Sequence, residues 1–134
     1  MIGTVILAAG ESRRMGTQKL LLPFEGTTVI EHIVEQVRAG RVDRTVVVTG
    51  HDREGVETVL GGYDVAFAHN ANYRNGMLTS VRCGLAALPI ETTAFVIVLG
   101  DQPGITAEII DALIEAFEKG THGIIVPMHG GGTG

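Results

Sequence analysis

Continuous apolar runs alternate with apolar stripes of helical period along this chain, and few folds accommodate that alternation. Residues 2–7, 44–49, 64–68 and 94–99 read as strands. Their cores, such as Val46-Val47-Val48 and Phe95-Val96-Ile97-Val98, are apolar at successive positions, so both faces of each strand must be covered. Helices fill the intervals. Thr28 with Glu31 spells a capping box ahead of the stripe Ile30, Ile33, Val34 and Val37, and Gly40 ends that helix. Asp52 is placed to cap a short helix through Leu60, stopped by Gly61-Gly62. Residues 69–76 are polar loop, and residues 77–88 read as a helix closed by Pro89. Thr106 caps a helix to Lys119 with Ile109, Ile110, Leu113, Ile114 and Phe117 as its stripe. Gly120 ends it, and residues 123–127 read as a fifth strand.

Strand–helix alternation predicts a parallel sheet with helices on both faces. The most apolar strand, residues 94–99, is expected at its centre. Ligands of such sheets bind beyond the carboxyl ends of the strands. Four segments are therefore expected to converge: Ala8 to Gly10, Thr49 to His51, His69 to Asn72, and Gly100 to Asp101.

The chain of 134 residues has the size of one domain, and no internal repeat is visible. A net charge of −5 without a basic block argues against nucleic acid as a partner, while local cations leave room for a small anion. The one cysteine, Cys83, excludes an internal disulfide framework and reads as a small packed hydrophobe. Met1 is followed directly by a strand, and no apolar run reaches membrane-spanning length, so a cytoplasmic protein with no membrane contact is expected. Residues 128–134 read as a loop leading into something further.

Three segments carry chemistry. The first strand ends in Leu7-Ala8-Ala9-Gly10, where no bulky side chain keeps a ligand from the backbone, and the cations Arg13, Arg14 and Lys19 follow. That order suits a polyphosphate, yet it is neither a P-loop nor a dinucleotide fingerprint. The second segment is Leu99-Gly100-Asp101-Gln102-Pro103. A carboxylate at the end of a buried strand caps the next turn or holds a cation; Gly100 would leave room for a close ligand. In the third, Asn70 to Ser80, Asn side chains and a helix N-terminus offer partners for a base or ribose, with Gly76 and Ser80 on one helical face. The same Asn-Gly is also good turn chemistry. His51 and His69 stand at strand ends, where most histidines are ordinary polar loop residues.

Residues 7–19 resemble the MobA-like nucleotidyltransferase signature at nearly every defined position. That family includes the molybdenum cofactor cytidylyl- and guanylyltransferases. Leu99-Gly100-Asp101-Gln102-Pro103 resembles its Leu-x-Gly-Asp-x-Pro, and residues 70–80 resemble its Asn-x-x-[Tyr/Phe]-x-x-Gly-Met-x-x-Ser. The resemblance implies a three-layer, Rossmann-like α/β nucleotidyltransferase fold with a mostly parallel sheet whose C-terminal part lies beyond residue 134. It implies an NTP-binding domain over residues 1–134. By the same resemblance Arg14, Lys19 and Asp101 are the catalytic residues, and Asp101 binds Mg2+. Nucleotide contacts fall to Leu7, Ala8, Ala9, Gly10, Arg14, Lys19, Thr49, Gly50, His51, Asn72, Gly76, Ser80 and Asp101. Ala9 and Gly76-Met77 with Ser80 look like the cytidylyltransferase branch. The implied reaction is CMP transfer from CTP to the phosphate of a pterin cofactor, with a molybdoenzyme or its maturation factor as a further partner. Ser12 and Gln18 stand where sugar-phosphate nucleotidyltransferases usually carry Gly and Pro. A guanylyltransferase and a non-catalytic nucleotide-binding module are the rival readings, with an oxidoreductase last because no nicotinamide fingerprint is present.

Overall fold

Four strands pair side by side: β1 (Ile2–Ala8), β2 (Arg44–Thr49), β3 (Ala66–His69) and β4 (Ala94–Leu99). Of these, β1 and β2 are buried on both faces. The computed structural model describes residues 1–10 and 19–119, with the backbone alone at 13, 14, 17 and 18. The expected fifth strand over residues 123–127 and the loop over 128–134 lie outside the described residues.

The sheet is parallel throughout, in the order β3-β2-β1-β4. Ile6 stands opposite Val47 on one side and Val98 on the other. The expectation of a central β4 is not met among the described residues, and the fifth strand expected over residues 123–127 lies outside them. Among the described residues β4 pairs with β1 alone, and β1 and β2 are the inner strands. An apolar run reports cover above and below a strand, and that cover says nothing about its lateral neighbours.

Alternate side chains of each strand enter two cores. Ile6, Ala8, Val47, Val96 and Val98 face α1 (Val29–Ala39), α2 (Arg53–Val59) and α4 (Ala107–Glu118). Val5, Ala9, Val46, Val48 and Ile97 face α3 (Met77–Ala87), whose Val81, Cys83 and Leu85 pack against them. The result is the expected three-layer α/β arrangement. A Cβ on Gly84 would lie 2.4 Å from Val5 Cγ1, so this glycine lets α3 lie close on the sheet.

Helix starts follow the cap chemistry. Thr28 Oγ1 accepts from Glu31 N at 3.2 Å while Glu31 Oε1 accepts from Thr28 N at 3.1 Å. Thr106 Oγ1 accepts from Ile109 N at 3.2 Å. Asp52 holds the cap position of α2 but its side chain makes no cap bond. Its ψ of 53° differs from the 166° and 162° that aim Thr28 and Thr106 at their first turns. β3 begins two residues later than expected, because Val65 N donates to Tyr63 O at 2.9 Å in a tight turn ahead of the pairing. There the Tyr63 hydroxyl donates to Glu35 Oε2 at 2.8 Å. Burial first, then the neighbouring Glu35 and Glu31, push its pKa above the ordinary phenol range. α3 stops at Ala87, since Leu88 precedes Pro89 and turns extended at ψ 150°. Among the described residues no helix is long and apolar enough to cross a membrane.

Thr4, fully buried in β1, has an Oγ1 with no hydrogen-bond partner among the described residues. Thr4→Val keeps the shape and removes the stranded hydroxyl, so it is expected to raise unfolding stability by about 1 kcal/mol. Urea denaturation checks this, and a lower midpoint would show that the hydroxyl is satisfied in solution.

Candidate functional site

The carboxyl ends of β1 and β4 meet the first turn of α3 around a cavity of about 210 Å³. Three sequence segments, far apart in the chain, supply its walls. Leu7, Ala8, Ala9 and Gly10 come from the first, Leu99 and Asp101 from the second, and Tyr73, Met77 and Ser80 from the third. Leu20 closes one side.

The end of β1 is held from both flanks. Gly100 N donates to Leu7 O at 2.9 Å, and His51 N donates to Ala9 O at 3.1 Å. A Cβ on Gly100 would stand 2.7 Å from Leu7 O, and one on Gly50 2.6 Å from Ala9 O. Gly100 was expected to make room for a ligand; the space it leaves is filled by the Leu7 carbonyl. Gly50 likewise serves the close approach of the two strand ends. Among the described residues an added Cβ on Gly10 would meet nothing within 4 Å.

Asp101 is half-buried and lines the cavity. Thr106, not Asp101, supplies the side-chain cap of α4. No hydrogen bond or ion pair to the Asp101 carboxylate is found among the described residues. Among those residues no group of three or more His, Cys, Asp or Glu is placed to hold a metal ion. One carboxylate oxygen donor beside open space still fits a hard cation that takes its other ligands from phosphate and water.

The segment over residues 70–80 is organised by Asn70, which is 5% exposed. Its N donates to Thr49 O at 2.7 Å, tying the loop to β2. Its side chain bonds Asn72 N, Thr79 Oγ1 and Ser80 Oγ, each at 2.9 Å. Gly76 has φ +111°, a conformation that disfavours any side chain. Tyr73 turns its hydroxyl to His51 Nδ1 at 3.2 Å, with the rings edge to face.

Of the residues singled out from sequence, Leu7, Ala8, Ala9, Gly10, Ser80 and Asp101 come together at the cavity. Lys19 opens the short turn Lys19–Leu21, next to the lining Leu20. Thr49 is fully buried with Oγ1 3.3 Å from His69 Nδ1, and Gly50 is buried beside Ala9. His51 stands behind Tyr73. Asn72 is exposed on the loop and Gly76 sets its backbone. The Arg14 side chain lies outside the described residues; its backbone pairs with Thr17. Tyr73, Met77, Leu20 and Leu99 also line the cavity and had been given no contact role from sequence, though Leu99 stood inside the second motif. Tyr73 and Met77 stood inside the third motif, and that position was their available signal.

Relatives of known sequence and structure share this frame. The chain is 34% identical over 127 residues to the bifunctional protein GlmU of Francisella tularensis subsp. novicida; the match takes 92% of this chain and 27% of that protein. A nucleotidyl transferase from Methanothermobacter thermautotroptrophicus superposes with TM-score 0.79 at 34% identity, over 86% of this chain and 57% of that one. Rv0371c from Mycobacterium tuberculosis H37Rv superposes with TM-score 0.79 at 29% identity, over 88% and 60%. Its manganese complex has also been solved. The chain thus spans about a quarter of its curated relative and less than two thirds of these solved chains. The family model for the MobA-like NTP transferase domain matches residues 4–134, a stretch that contains all three segments around the cavity, and the chain belongs to that family.

Proposed function

We propose that this chain binds a nucleoside triphosphate, CTP, at the strand-end cavity and transfers its CMP to a phosphate-bearing acceptor with release of pyrophosphate. The observation that carries this reading is the convergence of all three motif segments on one cavity. The backbone at Ala8, Ala9 and Gly10 is open to a phosphate chain, because none of the described residues crowds Gly10. Lys19 and Arg14 supply the positive charge a triphosphate needs. Tyr73, Met77 and Ser80 give the other end of the cavity an apolar and hydrogen-bonding wall suited to a base.

An acceptor phosphate oxygen attacks the α-phosphorus, the bond between that phosphorus and the β-bridging oxygen breaks, and pyrophosphate leaves with the electron pair. A phosphate monoester is already anionic near neutrality, so no strong general base is required. The residues' work is alignment and charge neutralisation. Asp101 would hold the metal, read as Mg2+, which would offset charge on the triphosphate when bound. The manganese complex of the mycobacterial relative supports a divalent cation as part of this reading. The acceptor is read as the phosphate of a pterin cofactor, with a molybdoenzyme or its maturation factor downstream and the cytoplasm as the place of action. This part rests on the motif resemblance.

Titration with the four NTPs, with pyrophosphate release read alongside, tests the proposal. CTP is expected to bind most tightly. Lys19→Ala is expected to weaken CTP binding by ~1.5–3 kcal/mol, the range of a charge-assisted contact to phosphate. A preference for GTP would move the chain to the guanylyl branch. Binding without pyrophosphate release in the presence of acceptor would favour a non-catalytic module. Unchanged affinity in Lys19→Ala would make that lysine a solvated surface charge.

A further inference from the structure

We infer that Asn70 is a positioning residue that fixes Ser80 as a hydrogen-bond donor into the cavity, and thereby selects a base that presents an acceptor there. The inference rests on the nucleotide reading of the site given above.

The argument begins with a donor of known sense. Asn72 N is a backbone N–H and can only donate, and it lies 2.9 Å from Asn70 Oδ1. That contact orients the Asn70 amide, so its NH2 faces the two hydroxyls of α3. The two N–H bonds reach Thr79 Oγ1 and Ser80 Oγ, each at 2.9 Å. Both hydroxyl oxygens are thus acceptors toward Asn70, and both protons must go elsewhere.

The two hydroxyls then differ. Thr79 Oγ1 donates to Gly76 O at 2.7 Å, within the turn that starts α3. For the Ser80 proton no acceptor is found among the described residues, and Ser80 lines the cavity. Ser80 is 5% exposed, so water has little access to it from outside. The amide of Asn70 is itself 5% exposed and is anchored through its backbone to Thr49 O, so it cannot easily turn over. Ser80 therefore meets a ligand as a donor. A ring carbonyl or unprotonated ring nitrogen is accepted at that point, as on the acceptor edge of cytosine.

Asn70→Asp is isosteric and reverses this polarity. The new carboxylate cannot donate, so the Ser80 proton turns toward it and lone pairs face the cavity. CTP affinity is expected to fall about tenfold, the scale of one hydrogen bond exchanged for a mismatch. Binding of inorganic tripolyphosphate, which carries no base, is expected to stay within about twofold. Ser80→Ala is expected to lose CTP affinity by a similar factor, and Asn70→Asp made in the Ser80→Ala background is expected to cost nothing further. Additive losses, or equal loss of CTP and tripolyphosphate in Asn70→Asp, overturn the role of Asn70. Should Asn70→Asp fail to fold, Ser80→Ala decides alone: undiminished CTP affinity in it refutes the assignment. If the unsubstituted protein binds none of the four NTPs, the nucleotide reading itself falls and takes this inference with it.

Discussion

Asp101→Asn is expected to lower magnesium-dependent CTP affinity roughly a hundredfold, the upper range found even for groups that only support metal ligands. The carboxylate stands at the end of β4, half-buried against the cavity. It does not cap α4, since Thr106 does that. Among the described residues no partner takes its charge, which leaves it to serve a ligand. Amide and carboxylate have nearly the same shape, so packing is retained and the melting temperature is expected to move by no more than about 2 °C. Calorimetric titration with CTP, with and without magnesium, reads the effect. In the unsubstituted protein magnesium should raise affinity; in Asn it should not. A variant that keeps its magnesium response removes Asp101 from the metal site. A variant that loses about 10 °C of stability makes the residue a structural one.

The second large effect is expected at Gly50. A Cβ there would meet Ala9 O at 2.6 Å, Ala9 Cβ at 2.8 Å and Ala9 Cα at 3.0 Å. Two of these atoms are backbone, so no rotamer change relieves the contact. β1 is also pinned on its other side, where Gly100 N donates to Leu7 O. Gly50→Ala must therefore separate the ends of β1 and β2. A cost of about 3 kcal/mol is expected, near the upper range for overpacking, with a fall in melting temperature on the order of 10 °C. Because Ala9 lines the cavity, CTP affinity should fall as well, by roughly tenfold or more. Gly10→Ala is the control: an added methyl there meets none of the described residues within 4 Å, so it should leave stability nearly unchanged. Equal destabilisation by the two substitutions would show that conformational freedom, and not contact, is what glycine supplies at position 50.

Element identity was legible in the residues because each element is specified locally. Thr28 and Thr106 mark helix starts by a side-chain oxygen three residues from its donor. Doubly covered strands are written as runs of Val, Ile and Leu. Lateral order was not legible. β1 and β4 are both apolar, and their lateral neighbours are set by how the crossovers wind, not by either sequence. Asp52 was the right residue type for a cap, but its backbone ψ decides whether the carboxylate reaches the first turn. Gly100 was correctly marked as a close approach, with the wrong partner, since the neighbouring carbonyl belongs to a strand more than ninety residues earlier. Asn70 was quoted as part of a motif without its role. Its partners lie nine and ten residues on, and only the fold brings loop and helix together.

The parallel register puts the cavity lined by Ala8, Ala9 and Asp101 at the carboxyl end of the sheet, and the turn between α3 and β4 at the other. At that second end Thr93 N donates to Met1 O at 2.9 Å, and Ile90, in the turn between α3 and β4, is 98% exposed. A fluorophore, an affinity handle or an inserted peptide placed at Ile90 would travel with the rigid sheet while staying a strand's length from the cavity. Cargo attached there would stand clear of the cavity, which makes the far turn the natural handle for tethering this domain to a surface or to another protein.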